Sequence, residues 1–365
     1  MREVAIRTDA STTIGTGHLM RCLTLADALA REGACATFYC APAAEPWRGL
    51  VEQHGHRFMT LPLRADGRRV ETQPPHADWA PWGQAADAAA VLDSIDGMLD
   101  WLIVDHYALD VRWEQALRPK AKRILAIDDL ADRDHDCDML LDHNPQDTAS
   151  DRYQTRLSAN ATRLIGPRYA LLRPEFVESR VKRLGRERTG SLRRIVVFMG
   201  GTDAAGATLM ALRALSADDL CEMVVDVVIG GESPHLAAIR QAAGDRGNTR
   251  VHVDAAEIAE LFAGADLAIG AGGVAALERC CVGVPTITMS VAANQEPALA
   301  RLSMVGAVQH LGRLETLTVA DLSSAIRGLV AAPDLHYNIA EAAGRIVDGQ
   351  GMARVVAAIG IQGVV

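Results

Sequence analysis

Short β-branched runs separated by Ala/Leu-rich stretches of helical period recur along this chain, stop near Pro174 and start again at Arg194. That alternation constrains the fold more than any other feature. Continuous apolar strands mark a sheet buried on both faces, and parallel pairing requires a helix-sized crossover between successive strands. The first half offers strands at Val4–Arg7, Ala36–Cys40, Trp101–Asp105, Ile124–Asp128 and Met139–Leu141, with a helix over His18–Arg31. The second half offers strands at Ile195–Met199, Met223–Ile229, Val251–Val253, Leu267–Ile269 and Thr286–Met289. Between these, helices are expected over Ala204–Leu215, Pro234–Ala243, Ala256–Ala263, Val274–Val282 and Glu296–Val305. A chain of 365 residues suits two domains, and 49% hydrophobic with only 4% aromatic residues suits interiors of Ala, Val, Leu and Ile. The expected class is α/β, with two Rossmann-like domains: residues 1–180 and residues 190–365, the boundary falling at about 176–192. A ligand is expected in the cleft between such domains, at the carboxyl ends of the strands.

Charge narrows the partners. A net charge of −9 without a long basic run argues against nucleic acid, which is bound through clustered Lys and Arg. The Arg-rich stretch Arg180–Arg194 reads as a solvated linker. Seven cysteines form no C-x-x-C pair, so neither a disulfide framework nor a zinc knuckle is expected. No apolar leader precedes the first strand and no uncharged run reaches the ~18 residues of a membrane span, so the expectation is a cytoplasmic protein, monomeric or weakly dimeric, without a membrane partner. Arg64–Gln84, with Pro74, Pro75 and Pro81, is expected to be a surface excursion, and neither its role nor the path of Gln350–Val365 is legible.

Three glycine-rich turns carry the chemistry. Ile14-Gly-Thr-Gly-His-Leu-Met-Arg21 joins the first strand to a helix, with Gly17 allowing close backbone approach. His18 falls in the first helical turn, where the dipole favours the neutral imidazole that a general base requires. Met199-Gly-Gly-Thr-Asp203 lacks the phosphate-loop lysine and the full G-x-G-x-x-G spacing, yet its glycines and hydroxyl at a helix start can embrace a phosphate. Ile269-Gly-Ala-Gly-Gly-Val274 opens a third helix, Glu278 lies further along it to meet a ribose diol, and Gly283-Val-Pro285 leads to Asn294-Gln-Glu296 at the same sheet end.

Taken in order, these blocks resemble the UDP-2,4-diacetamido-2,4,6-trideoxy-β-L-altropyranose hydrolase family of pseudaminic acid biosynthesis. The resemblance is carried by Arg7-Thr-Asp-Ala-Ser11, Ile14-Gly-Thr-Gly-His-Leu-Met-Arg-Cys-Leu23, Ile103-Val-Asp-His-Tyr107, Ile127-Asp-Asp-Leu-Ala-Asp-Arg133, Leu164-Ile-Gly-Pro-Arg-Tyr-Ala-Leu-Leu-Arg-Pro-Glu-Phe176, Met199-Gly-Gly-Thr-Asp203, Glu278-Arg-Cys-Cys-Val-Gly-Val-Pro285 and Asn294-Gln-Glu296, and spans nearly the whole chain. It implies the two-domain glycosyltransferase-B fold with water as acceptor and neither metal nor cofactor. It implies His18 as general base, and Tyr107 and Asn294 near the sugar or its leaving group. Glu278 then belongs on the nucleotide, with Asp9, Gly17, Arg21, Gly201, Thr202, Asp203, Gly272, Gly273, Val274, Gln295 and Glu296 completing the contacts to a UDP-linked diacetamido sugar. The chain departs from the pattern after Gly273, where Val274-Ala275 replaces the usual Ser or Thr and removes one hydroxyl donor. The acidic stretch Asp128–Asp138 is expected to solvate and cap a loop rather than hold an ion, because consecutive strand residues point to opposite faces.

Overall fold

The computed structural model describes residues 2–11, 13–62, 73–146, 151–185 and 192–360. The first apolar run becomes β1 (Arg2–Thr8), and its alternation shows how the sheet is buried. Val4 and Ile6 enter one apolar cluster and Ala5 enters another on the opposite face. Six further strands join it: β2 (Ala34–Cys40), β3 (Arg57–Thr60), β4 (Trp101–Asp105), β5 (Ile124–Ile127), β6 (Met139–Asp142) and β7 (Thr162–Ile165). All pairings are parallel, in the order β3-β2-β1-β4-β5-β6-β7. Of the helices α1 (Gly17–Arg31), α2 (Arg48–Gln53), α3 (Gln84–Ser94) and α4 (Val111–Leu117), the first two cover one face through Leu19, Leu23 and Val51. The last two cover the other through Val91 and Trp113.

The second half repeats the scheme after α5 (Pro174–Leu184). Its strands β8 (Arg194–Phe198), β9 (Val224–Ile229), β10 (Thr249–Val253), β11 (Leu267–Gly270), β12 (Thr286–Ser290) and β13 (Gln309–Arg313) pair in parallel as β10-β9-β8-β11-β12-β13. Its helices are α6 (Ala207–Leu215), α7 (Leu236–Arg246), α8 (Ile258–Gly264), α9 (Val274–Val282), α10 (Glu296–Met304), α11 (Val319–Ala331) and α12 (Pro333–Ile346). Both sheets therefore reverse direction of winding beside their first strand, between β1 and β4 and between β8 and β11, which is where open α/β sheets place ligands.

Strands β3, β7 and β13 escape an apolar reading of the sequence. Each lies at a sheet edge, is only partly buried, and so carries polar residues where a central strand is continuously apolar.

The compact units are Met1–Leu171 with Gln350–Val365, and Leu172–Gly349, which corrects the expected boundary at two places. The stretch read as a linker is α5, docked within the second unit by its own cations. Arg180 donates to the Cys281 and Gly344 carbonyls, both at 2.8 Å, and Arg183 to those of Gly283 at 2.9 Å and Ala263 at 3.1 Å. These include carbonyls that helix ends leave without a partner, so the Arg residues act as C-terminal caps rather than solvated charge. Residues 186–191 of that stretch lie outside the described residues. At the other end, α13 (Gly351–Ile359) returns to the first unit and buries Val355 and Ile359 beside α1. Among the described residues no helix is long and apolar enough to cross a membrane.

Candidate functional site

The first unit gathers its polar side chains where β1, β4, β5 and β6 end. Thr8 pairs with Asp105 across β1 and β4, so the turn after β1 delivers His18 onto the carboxylate that closes β4. His18 Nδ1 lies 2.6 Å from Asp105 Oδ1. Arg21, one turn along α1, grips the same carboxylate with Nε on Oδ2 and Nη2 on Oδ1, both at 2.6 Å. Its Nη1 reaches Asp129 Oδ2 at 2.9 Å. Burial opposes the charge on Asp105, but Arg21 and His18 overcome it and hold the carboxyl well below the usual carboxylate range. An ionised carboxylate can only accept, so in this pair His18 Nδ1 is the donor and Nε2 stays outside it.

Around this pair the other groups are fixed in turn. Tyr107 donates its hydroxyl to Asp129, and burial together with the Asp129 charge keeps that phenol protonated. Burial and the neighbouring Arg21 cation push the His143 imidazole down to about 4, so its Nε2, 3.3 Å from Arg21, serves as a neutral acceptor. Trp79 stacks on Tyr107 with ring centroids 5.1 Å apart, and both stand perpendicular to His18 at 5.7 and 4.6 Å. Gly17 is exposed beside His18.

Two residues expected at the ligand are engaged by partners inside this unit. Asp9 is buried, bonded to the Ala41 amide at 2.7 Å and ion-paired to Arg7 at 2.9 Å and His106 at 3.1 Å, which leaves it a brace beneath the turn. Arg21 is buried and paired with Asp105 and Asp129, which fixes the carboxylate that meets His18. Asp128, which opens the acidic loop, is likewise internal: it pairs with Arg133 at 2.8 Å and accepts from the Leu130 and Ala131 amides, while Asp134 further along is exposed.

In the second unit the expected residues again cluster at strand ends, but the two helix starts differ. Asp203 accepts from the Ala207 and Thr208 amides, both at 2.9 Å, and so supplies its own carboxylate to the N-terminus of α6. Asp203 thereby fills the capping position of α6, while burial raises its carboxyl above the ordinary value. Gly201 is exposed and Thr202 half-buried in the same turn. α9 has no side-chain cap and no acidic residue in its first turn. Gly273, at φ +76° with nothing within 4 Å of the position a Cβ would take, lets the backbone turn outward ahead of Val274. The amides that open α9 are thus available to an anion.

One turn further on, Glu278 is buried with Arg173 at 3.5 Å, and burial raises its carboxyl above the ordinary value. Gln295 holds the loop in place: its Oε1 accepts from Gly272 at 3.2 Å and Val291 at 3.1 Å. A Cβ on Gly272 would lie 2.8 Å from that of Gln295, so the glycine is required by packing. Glu296 accepts from Ser290 and meets His310 at 3.2 Å, while Asn294 is exposed in the turn before α10.

No family model matches the chain. Among curated proteins, the spore coat polysaccharide biosynthesis protein SpsG of Bacillus subtilis is 27% identical over 207 residues, covering 56% of this chain and 60% of that protein. A protein of Campylobacter jejuni named UDP-2,4-diacetamido-2,4,6-trideoxy-β-L-altropyranose hydrolase is 25% identical over 263 residues, covering 71% of this chain and 81% of that one. The chain thus spans less than two thirds of the length of the Bacillus relative. Solved structures resemble it end to end. MurG of Acinetobacter baumannii aligns with a TM-score of 0.66 at 16% identity, covering 98% of this chain and 99% of that one. The calicheamicin glycosyltransferase CalG4 aligns with a TM-score of 0.62 at 16% identity, covering 98% and 97%. The fold is glycosyltransferase-B. VinC, a glycosyltransferase solved with dTDP, shares it at a TM-score of 0.59 and 16% identity, covering 99% of this chain and 100% of that one.

The sequence reading singled out His18, Tyr107 and Glu278, and the structure places Asp105, Asp129, His143 and Trp79, which it did not single out, beside the first two. A signal exists for the first three, since Asp105 closes a buried apolar strand, His143 directly follows one and Asp129 lies two residues past one, all at the carboxyl ends where open α/β sheets place ligands. Trp79 has none, because it comes from the proline-rich excursion, of which residues 63–72 lie outside the described residues.

Proposed function

We propose that this chain hydrolyses a UDP-linked amino sugar, with UDP-2,4-diacetamido-2,4,6-trideoxy-β-L-altropyranose of pseudaminic acid biosynthesis as substrate. The observation that carries the reading is the His18–Asp105 pair at the end of β1 and β4. With Nδ1–H given to Asp105, His18 Nε2 takes a proton from water while the water oxygen bonds to C1 of the sugar. The C1–O bond to UDP breaks as that bond forms, UDP leaves with the electron pair, and the configuration at C1 inverts. Asp105 then stabilises the imidazolium, as a carboxylate does in other His–Asp pairs. In the second unit, the open amides of α9 at Gly273 and Val274 suit the diphosphate, and Glu278 suits the ribose diol. Tyr107 and Asn294 are assigned to the sugar and its leaving group, with Gly201, Thr202, Gly272, Gln295 and Glu296 shaping the nucleotide loops. The curated Campylobacter relative supports the hydrolytic reading by its name.

The rival is transfer of the same sugar to an alcohol acceptor, favoured by the names of the structural neighbours. Supplying the UDP-sugar alone in ¹⁸O-labelled water separates them. Hydrolysis at C1 releases free sugar carrying the label in its new hydroxyl, the inverted anomer first, with UDP unlabelled. Absence of free sugar without an added acceptor, or label in UDP, refutes the proposal.

A further inference from the structure

The imidazole of His18 keeps 10% of its side-chain surface exposed. Two rings bound it. Tyr107 is held from behind by Asp129 on its hydroxyl and by Arg133, whose guanidinium lies 5.5 Å from the ring centroid. Trp79 is held differently, by the turn Ala77–Trp79 at the end of the excursion. That segment is anchored to the first unit through Arg112 on the Gln73 carbonyl at 3.0 Å, Trp82 Nε1 on Asp87 at 3.1 Å, and buried Ala77 and Ala80. Its indole, half-buried, stacks on Tyr107 and also packs against His76 at 5.1 Å and His106 at 6.2 Å. Neither the dyad nor the nucleotide loops require an aromatic residue here.

We propose that Trp79 is the specificity-determining residue that confines the nucleophile at His18 to water. The inference rests on the hydrolytic reading given above. An alcohol used in place of water would undergo the same displacement: its oxygen bonds to C1, the C1–O bond to UDP breaks, His18 takes the hydroxyl proton, and UDP leaves with the electron pair. The difference is the carbon attached to that oxygen, which needs room beside the imidazole. Trp79 lies against the imidazole with its ring perpendicular at 5.7 Å, and on this proposal it leaves room for water but not for a carbon-bearing acceptor. A glycosyltransferase-B scaffold is thereby turned toward hydrolysis by one side chain from a loop.

Two readouts test this in the full chain with W79A and W79F. The first is the rate at which diethyl pyrocarbonate modifies His18 in the unliganded protein, followed by peptide mass spectrometry; it should rise several-fold in W79A and stay near wild type in W79F. The second is the ratio of methyl glycoside to free sugar formed from the UDP-sugar in aqueous methanol. That ratio should rise about tenfold or more in W79A, in line with the discrimination one apolar wall gives, and return toward wild type in W79F. A loss of fold would lower both products together and leave the ratio unmoved; W79L repeats the comparison if W79A does not fold. An unchanged ratio in a variant that still releases free sugar overturns the proposal, whatever the labelling rate. If the wild-type chain releases no free sugar, the hydrolytic reading fails instead, and an unchanged labelling rate at His18 then separately refutes the shielding by Trp79.

Discussion

Replacing Asp105 by Asn tests the dyad with a near-isosteric change whose consequences follow from three contacts. The carboxylate oxygens meet His18 Nδ1, Arg21 Nε and Arg21 Nη2, each at 2.6 Å, with Oδ1 serving both the imidazole and Nη2. An amide has one acceptor and one donor end, so it can be placed in two ways. With its nitrogen toward His18, the imidazole must accept at Nδ1 and carry its proton on Nε2, which abolishes the base and also strands Arg21 Nη2. With its oxygen toward His18 the tautomer survives, but Arg21 Nε then faces a donor and the charge that stabilises the imidazolium is gone. Either way one charge-assisted bond to a buried guanidinium is lost, for a stability cost of about 1.5–3 kcal/mol. Asp129 still pairs with Arg21 at 2.9 Å and keeps the cation from being abandoned. Activity should fall further than stability, by about 10²–10⁴-fold in kcat, the usual contribution of a positioned base. Initial rates of UDP release give kcat, urea unfolding gives the stability change, and calorimetric UDP titration should be unaltered. A folded D105N enzyme with kcat within about threefold of wild type would refute the dyad.

Four other outcomes follow from the same contacts. Glu278→Ala should weaken UDP binding by about 1–3 kcal/mol if its carboxylate receives the ribose diol, and unchanged affinity by titration would place the ribose elsewhere. Asp203→Ala should destabilise the second unit by about 1 kcal/mol through loss of the α6 cap while leaving UDP affinity intact; a large affinity loss in calorimetry would return Asp203 to the ligand site. His135, raised to about 9 by Glu114 and Asp128 in spite of burial, contributes stability in full below its ordinary value of about 6.5 and loses it as pH rises through 9, so the gap in thermal stability between wild type and His135→Gln should close between about pH 7 and 9. Asp142, raised to about 7, titrates at the lower edge of that window in both proteins and so cancels from the gap, and His143, lowered to about 4, titrates below it; a gap that widens with pH would contradict the assignment. Because Asp128 is committed to Arg133 and backbone amides, exhaustive chelation should leave UDP-sugar cleavage unchanged, and loss restored by Mg²⁺ would reopen the acidic loop as an ion site.

How much of this was legible without coordinates depended on whether the determining interactions were local. The repeated strand and helix pattern specified two doubly wound α/β halves, because burial on both faces forces continuous apolar strands such as Trp101–Asp105, whose limits the sequence and the fold share. Local rules also sufficed for His18 at the start of α1 and for Val274–Val282 as a helix opened by Gly273 at positive φ. They failed at edge strands such as Gln309–Arg313, where one-sided burial permits His310 and Gly312. They failed again at α5, whose Arg180 and Arg183 look solvated until the carbonyls of Cys281 and Gly283, a hundred residues away in sequence, arrive to receive them. Tertiary structure alone decided which polar groups are spent internally. Asp9 and Arg21 carry the same residue types as ligand contacts, but partners set in place by packing, at Ala41 and Asp105, engage them, whereas Asp203 is taken up locally by the Ala207 amide four residues on. A residue type states what a side chain can bond; only the folded neighbourhood determines whether a protein group has already taken that bond, because leaving it unmade in the interior costs more than making it gains.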